Sequence, residues 1–87
     1  MPPTRPPELP ARTVLYVRQG CHLCEQFLLE LELEFGPAVE GLRVVDVDGD
    51  SELAARFGLR VPVLEVAGEV VCEGIYDAPR VTGALQV

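Results

Sequence analysis

The hydrophobic pattern changes period several times along the chain. Thr13 to Arg18 holds Val14, Leu15, Tyr16 and Val17 without a break, a short branched and aromatic run that predicts a strand buried on both faces. Gln19 and Gly20 end it. From His22 to Phe35, the residues Leu23, Phe27, Leu31 and Phe35 recur every four positions with Leu28 beside them. Glu25, Glu30, Glu32 and Glu34 fall mostly on the other side. This is the pattern of an amphipathic helix, stopped by Gly36 and Pro37. Leu42 to Val47 predicts a second strand, followed by an acidic turn through Asp50. Ser51 to Phe57 predicts a short helix, capped by Asp50 or Ser51 and ended by Gly58. Val61 to Val66 and Val70 to Glu73 predict two further strands around a tight turn at Ala67, Gly68 and Glu69. Asp77 offers an N-cap and Pro79 a first-turn residue for a last helix through Leu85, which Gly83 weakens slightly. The order is strand, helix, strand, helix, strand, strand, helix. With crossover helices joining the first three strands and a hairpin joining the last two, it predicts an α/β fold: a mixed four-stranded sheet with three helices on its two faces.

Composition narrows this picture. Eighty-seven residues allow one domain, and a 48% hydrophobic content is enough for one core, with a thin stability margin. Met1 to Arg12 contains Pro2, Pro3, Pro6, Pro7 and Pro10, which favour extended polyproline conformation and exclude a helix. Residues 1–12 are therefore expected to be a disordered tail and residues 13–87 the folded domain. The start lacks an apolar stretch behind a basic end, so no secretory signal is expected. No apolar run approaches the ~20 residues of a membrane span. The net charge of −7, with seven Arg and no Lys, repels phosphate backbones and anionic lipid. Neither nucleic acid nor membrane is an expected partner, and a monomer is expected.

Three cysteines, Cys21, Cys24 and Cys72, are an odd number for a secreted disulfide scaffold. A reducing cytoplasm is the expected location. Cys21-His22-Leu23-Cys24 falls where the first strand hands over to the first helix. There, free backbone N–H groups and the positive end of the helix dipole favour a thiolate on Cys21. Cys24, one turn on and facing the same side, is placed to resolve a mixed disulfide on Cys21 and is expected to be the more buried. A Cys-x-x-Cys is also half of a zinc site. The remaining candidate ligands are Cys72 and His22, and His22 adjoins Cys21 too closely for easy tetrahedral ligation, so no metal is expected. His22 itself has two readings: a cation that stabilises the thiolate, or an exposed first-turn residue of little influence. Val61-Pro62 is the other informative pair. A cis bond there would present the Val61 backbone to an incoming peptide or glutathione.

Together these residues make the chain resemble the glutaredoxin-like branch of the thioredoxin fold, in its short bacterial form. The resemblance covers about Thr13 to Leu85. It implies that Pro62 is cis and packs against the cysteines, and that Arg18 supplies the basic residue three positions before the first cysteine. It also implies that Gly74 and Asp77 correspond to the second Gly and last Asp of a Gly-Gly…Asp-Asp stretch that holds glutathione. The chain departs from that pattern in four ways. His22-Leu23 replaces Pro-Tyr between the cysteines. Arg60 replaces Thr before Val-Pro, and Glu73 and Tyr76 replace the first Gly and first Asp. Glu73 and the acidic surface disfavour an anionic tripeptide.

The expected function is thiol–disulfide exchange in cell redox homeostasis, with Cys21 as nucleophile and Cys24 resolving. His22, Arg18 and Pro62 support the pair, and Val61, Gly74 and Asp77 bind substrate. The substrate is a disulfide-bearing protein or small molecule. Glutathione or a reductase is the electron donor, and no other cofactor is expected. The alternative is a non-catalytic binding module, or a redox sensor, on the same fold. Cys72 reads as a small core residue, with a third redox site as the rival. Asp46, Asp48 and Asp50 suggest a calcium loop, but the glycine falls one position early and Phe57 stands where Glu is required. A polar turn with a helix cap is the simpler reading. Glu65, within an apolar strand, is either a proton relay or an edge-facing carboxylate.

Overall fold

A computed structural model describes residues 9, 10 and 12–85. Most of the expected Pro-rich tail lies outside the described residues. At its end, Leu9 packs against the core and the Thr13 hydroxyl donates to the Pro10 carbonyl at 2.6 Å. The elements are β1 (Thr13–Val17), α1 (His22–Phe35), β2 (Arg43–Asp46), α2 (Ser51–Phe57), β3 (Val63–Val66), β4 (Glu69–Glu73) and α3 (Ala78–Leu85). Short 3-10 turns span Gly36–Gly41 and Val47–Gly49.

The sheet order is β2-β1-β3-β4. β1 and β2 are parallel, whereas β3 is antiparallel to both neighbours. The helix between β2 and β3 therefore carries the chain across β1 and reverses its direction, so of the first three strands only β1 and β2 are parallel. Leu15 and Leu64 face α1 and α3 and form one core cluster with Phe27, Leu31, Cys72, Val81 and Leu85. On the opposite face Val47, Phe57 and Val63 form a smaller cluster under α2, joined by Tyr16 stacked on Phe57 at 4.7 Å between ring centres. This is a thioredoxin-like α/β fold, with helices on both faces of a mixed sheet.

Several local differences have physical causes. The buried stripe of α1 is Cys24, Phe27 and Leu31, with Leu28 and Phe35 half-buried; Leu23 lies off it. A strict four-residue spacing drifts by about 40° per step around a helix of 3.6 residues per turn, so Leu23, Phe27, Leu31 and Phe35 do not share one line. Full burial of Phe27 and Leu31 contributes roughly 1.5–3 kcal/mol each. β3 begins at Val63 rather than Val61, because the Val61 N–H is bonded back to the Phe57 carbonyl at 3.0 Å. In β4 the register slips: Leu64 pairs with Cys72 but Glu65 with Val70. Val71 is the extra residue of this bulge, and strict alternation is lost. Cys72 is buried while Val70, two positions earlier, is exposed. Asp50 caps α2, accepting from the N–H groups of Glu52 and Leu53.

Glu34 ties α1 to α3. It accepts from the Thr82 and Tyr76 hydroxyls, each at 2.6 Å, and those two donors hold its carboxyl below the usual Glu range. A lowered folded-state value stabilises the fold above the unfolded-state value and loses that contribution as pH falls through the folded one. Glu34→Gln is expected to flatten the fall in stability between about pH 5 and pH 3, measured by urea unfolding across that range. An unchanged acid limb would show that the tie contributes nothing.

Candidate active site at the β1–α1 junction

β1 ends at Val17, and Arg18, Gln19 and Gly20 turn the chain into α1. Gly20 has φ +71°, a left-handed conformation that a side chain would strain, and it permits the sharp entry. Cys21 is the N-cap, in extended conformation, and its Sγ accepts from the Cys24 backbone N–H at 3.1 Å. N-caps are ordinarily oxygen-bearing side chains; here sulfur takes the place of the oxygen. Cys21 and Cys24 are joined as a disulfide, with Cα atoms 5.2 Å apart. Cys21 is half-buried, whereas Cys24 is only 4% exposed and lies in the core stripe of α1. His22 is exposed.

The Val61–Pro62 peptide bond is cis, and Pro62 is fully buried. The Pro62 carbonyl accepts from the Gly74 N–H at 2.8 Å, which fixes the end of β4 to this loop. The Val61 backbone, expected to face a ligand, has one of its two polar groups engaged within the fold. Its N–H is already satisfied by Phe57, which leaves the carbonyl as the one main-chain group it can offer. Gly74 likewise spends its N–H on Pro62. Asp77 caps α3, its carboxylate accepting from the Arg80 N–H at 3.2 Å. The structure thus gives both residues bonds within the fold.

Arg18 is turned toward α2. Its guanidinium makes a two-pronged contact with the Asp48 carboxylate at 2.9–3.2 Å and donates to the Gly58 carbonyl at 2.9 Å. A Cβ at Gly58 would press on the Ala54 carbonyl and on that guanidinium, so glycine is required by the close approach. Arg18 therefore braces the end of β1 against α2, with its charge partnered by Asp48. The remaining acidic residues of that turn are accounted for as well. Asp46 accepts from the Asp48 N–H and Asp50 caps α2, so the three aspartates serve turn, ion pair and cap. Glu65 accepts from the Tyr16 hydroxyl at 3.1 Å on the sheet face opposite α1, which removes it as a proton relay to the cysteines. Cys72 is free and buried, with its thiol directed at the Ile75 carbonyl.

Sequence reading missed one arrangement. Arg60 and Glu73, two separate departures from the glutaredoxin pattern, form an ion pair at 2.6 Å. Arg60 precedes Val61–Pro62, and Glu73 lies opposite Val63 and next to Gly74, so the pair bridges the two segments that bracket Pro62. Arg60 also lies over the Phe57 ring at 5.3 Å. The signal was available as two opposite charges replacing neutral residues, but only the β3–β4 register shows that they meet.

A four-stranded mixed sheet of order β2-β1-β3-β4 and a Cys-x-x-Cys at the start of α1 define a thioredoxin-like protein with a dithiol/disulfide pair. The chain belongs to the family of the glutaredoxin-like domain (DUF836), whose model matches residues 12–86. Two solved structures are similar to it. One is the X-ray structure of target protein XcR50 from X. campestris, with 36% identity, coverage of 82% of this chain and 91% of that one, and a TM-score of 0.68. The other is the solution NMR structure of protein Ne2328 from Nitrosomonas europaea, with 30% identity, coverage of 99% and 100%, and a TM-score of 0.75. No curated protein matches the chain.

The burial of Cys72 has a measurable consequence. The oxidised native protein is expected to show no thiol reacting with a bulky aromatic disulfide reagent on the time scale of minutes, and one thiol per chain after denaturation. Rapid reaction in the native state would place Cys72 at the surface.

Proposed function

We propose that the protein is a cytoplasmic dithiol–disulfide oxidoreductase that acts as a monomer. Cys21 is the nucleophile and Cys24 the resolving thiol. One observation carries the reading: the two sulfurs share one end of α1, the first on a half-buried residue and bonded to a backbone N–H, the second on a buried one. A backbone donor and the helix dipole both favour the charged form of sulfur over the neutral one. The acidic Glu25 in the same turn opposes this only weakly, because it is exposed and screened by solvent.

In the reduced protein the Cys21 thiolate attacks one sulfur of a substrate disulfide. A Cys21–substrate disulfide forms and the other substrate half leaves as a thiolate, which takes a proton. The Cys24 thiol then gives up its proton and attacks Cys21 Sγ. The second substrate half leaves as a thiol and the Cys21–Cys24 bridge remains. Two electrons and two protons have passed to the substrate. Glutathione, or a reductase, supplies the same two electrons to restore the dithiol, and no other cofactor enters. Pro62 shapes the floor beside the pair, and the Val61 carbonyl is the main-chain group that the loop offers a bound substrate. Gly74 and Asp77 act by holding that loop and the start of α3, and Arg18 by bracing β1. His22 adds an exposed ring beside the nucleophile.

Three measurements test the assignment. Cys21→Ser is expected to bring reduction of bis(2-hydroxyethyl) disulfide to the uncatalysed background. Cys24→Ser is expected to accumulate a mixed disulfide on Cys21, visible by intact-mass spectrometry. The alkylation rate of Cys21 against pH is expected to inflect below the ~8.5 of a free thiol. Exchange that persists in Cys21→Ser, or an inflection at or above that value, would refute the role of Cys21. Parallel turnover with glutathione and with a thioredoxin-reductase system identifies the donor.

A further inference from the structure

A groove opens beside the redox pair, between α1 and the segment joining β4 to α3. It has a volume of about 390 Å³, and its walls include Leu23, Phe27, Ile75 and Tyr76, with Gly74 and Glu30 also lining it. Both ends of this lining connect to the site. Leu23 stands between the two cysteines, and Gly74 is hydrogen-bonded to Pro62. The apolar side chains do not close over one another: Ile75 is 70% exposed, Leu23 39% and Leu29, also on the wall, 55%. The volume lies near the lower end of the ~300–1,000 Å³ of small-molecule pockets, room for one or two amino-acid side chains.

The charge around the groove has one sign. Among the described residues, Glu30 is the one charged member of the lining, and no arginine belongs to it. Tyr76 reports the same field. Burial first, then the hydrogen bond and charge of Glu34 and the charge of Glu30, push its hydroxyl above the usual tyrosine value. An anionic ligand would meet the Glu30 carboxylate, with no cation among the lining residues to offset it. A neutral or cationic one would not. The floor is apolar, so the group that fills it must be apolar too, with any positive charge at the rim where it keeps its hydration.

We propose that this groove docks the protein substrate of the dithiol: a disulfide-bearing chain segment with an apolar side chain next to its cysteine and a Lys or Arg alongside. The proposal rests on the redox reading of Cys21 and Cys24 and names the substrate class for that site. The apolar side chain lies against Leu23 and Ile75 while the neighbouring substrate sulfur reaches Cys21. The cation approaches Glu30. Glutathione disulfide, which is anionic and has no large apolar group, is a poor fit to this surface.

The test uses the full-length reduced protein in single-turnover stopped flow. The substrates are three homodimeric peptide disulfides, whose residues next to cysteine are Leu and Arg, Leu and Glu, or Ser and Arg. Each rate is divided by the rate of the same preparation on bis(2-hydroxyethyl) disulfide. The Leu/Arg peptide is expected to react about tenfold faster than Ser/Arg, as filling an apolar pocket implies. It is expected to react about three- to fivefold faster than Leu/Glu, as one partly exposed charge pair implies, with the second ratio shrinking in high salt. Ile75→Ser is expected to collapse the leucine ratio toward one, and Glu30→Gln to reduce the charge ratio. Equal rates for the three peptides, or ratios untouched by both substitutions, would overturn the groove assignment while exchange with the small disulfide persists. A protein inert toward every disulfide would overturn the redox reading and this assignment with it.

Discussion

The antiparallel pairing of β1 with β3 sets the surroundings of the Cys21–Cys24 pair. Tyr16 lies opposite Val63, so the chain leaving β1 emerges beside the chain entering β3. The first of these runs through Gly20 to Cys21, and the second arrives through Val61 and Pro62. The two segments are far apart in sequence, and the sheet ladder brings them together at one end of the two central strands. A slip of one residue would turn Leu15 and Leu64 away from α1 and break the larger core. The apolar requirement on those two positions therefore also fixes where the sulfurs sit.

The surrounding polar contacts hold this meeting point. Gly74 fastens the end of β4 to Pro62, Arg18 ties the end of β1 to Asp48 and Gly58, and Arg60 reaches across to Glu73. The two ion pairs are at the surface, where each adds little to stability. Their effect is on position: they brace the loops on either side of Pro62 without placing a free charge on the sulfurs. Residues that the glutaredoxin resemblance suggested as ligand contacts thus carry much of the bracing.

Two hydrophobic surfaces divide the work of α1. Cys24, Phe27 and Leu31 face the sheet, and their burial fixes the helix. Leu23 and Leu29 face outward toward the groove, where they add nothing to the core. Burial of Cys24 and exposure of Leu23 both follow from helical phase. The same rotation that hides the Cys24 side chain turns its neighbour Leu23 outward.

Much of this was legible in the residues themselves. The run Val14 to Val17, the helical period after His22, the Asp50 cap, and the hairpin turn at Gly68 each depend on near neighbours, so local pattern specifies them. The Cys-x-x-Cys at a strand-to-helix junction is local in the same sense: spacing and dipole place both sulfurs at one helix end. What the chain could not announce was pairing between distant segments. The reversal of β3, the bulge at Val71, the Arg60–Glu73 contact and the satisfaction of the Gly74 N–H all depend on which strands lie side by side. Sequence alone determined that a strand hands an amphipathic helix two cysteines. Only the packed sheet decided what stands opposite them, because hydrogen bonds and charges between remote residues have no partner until the core has brought those residues together.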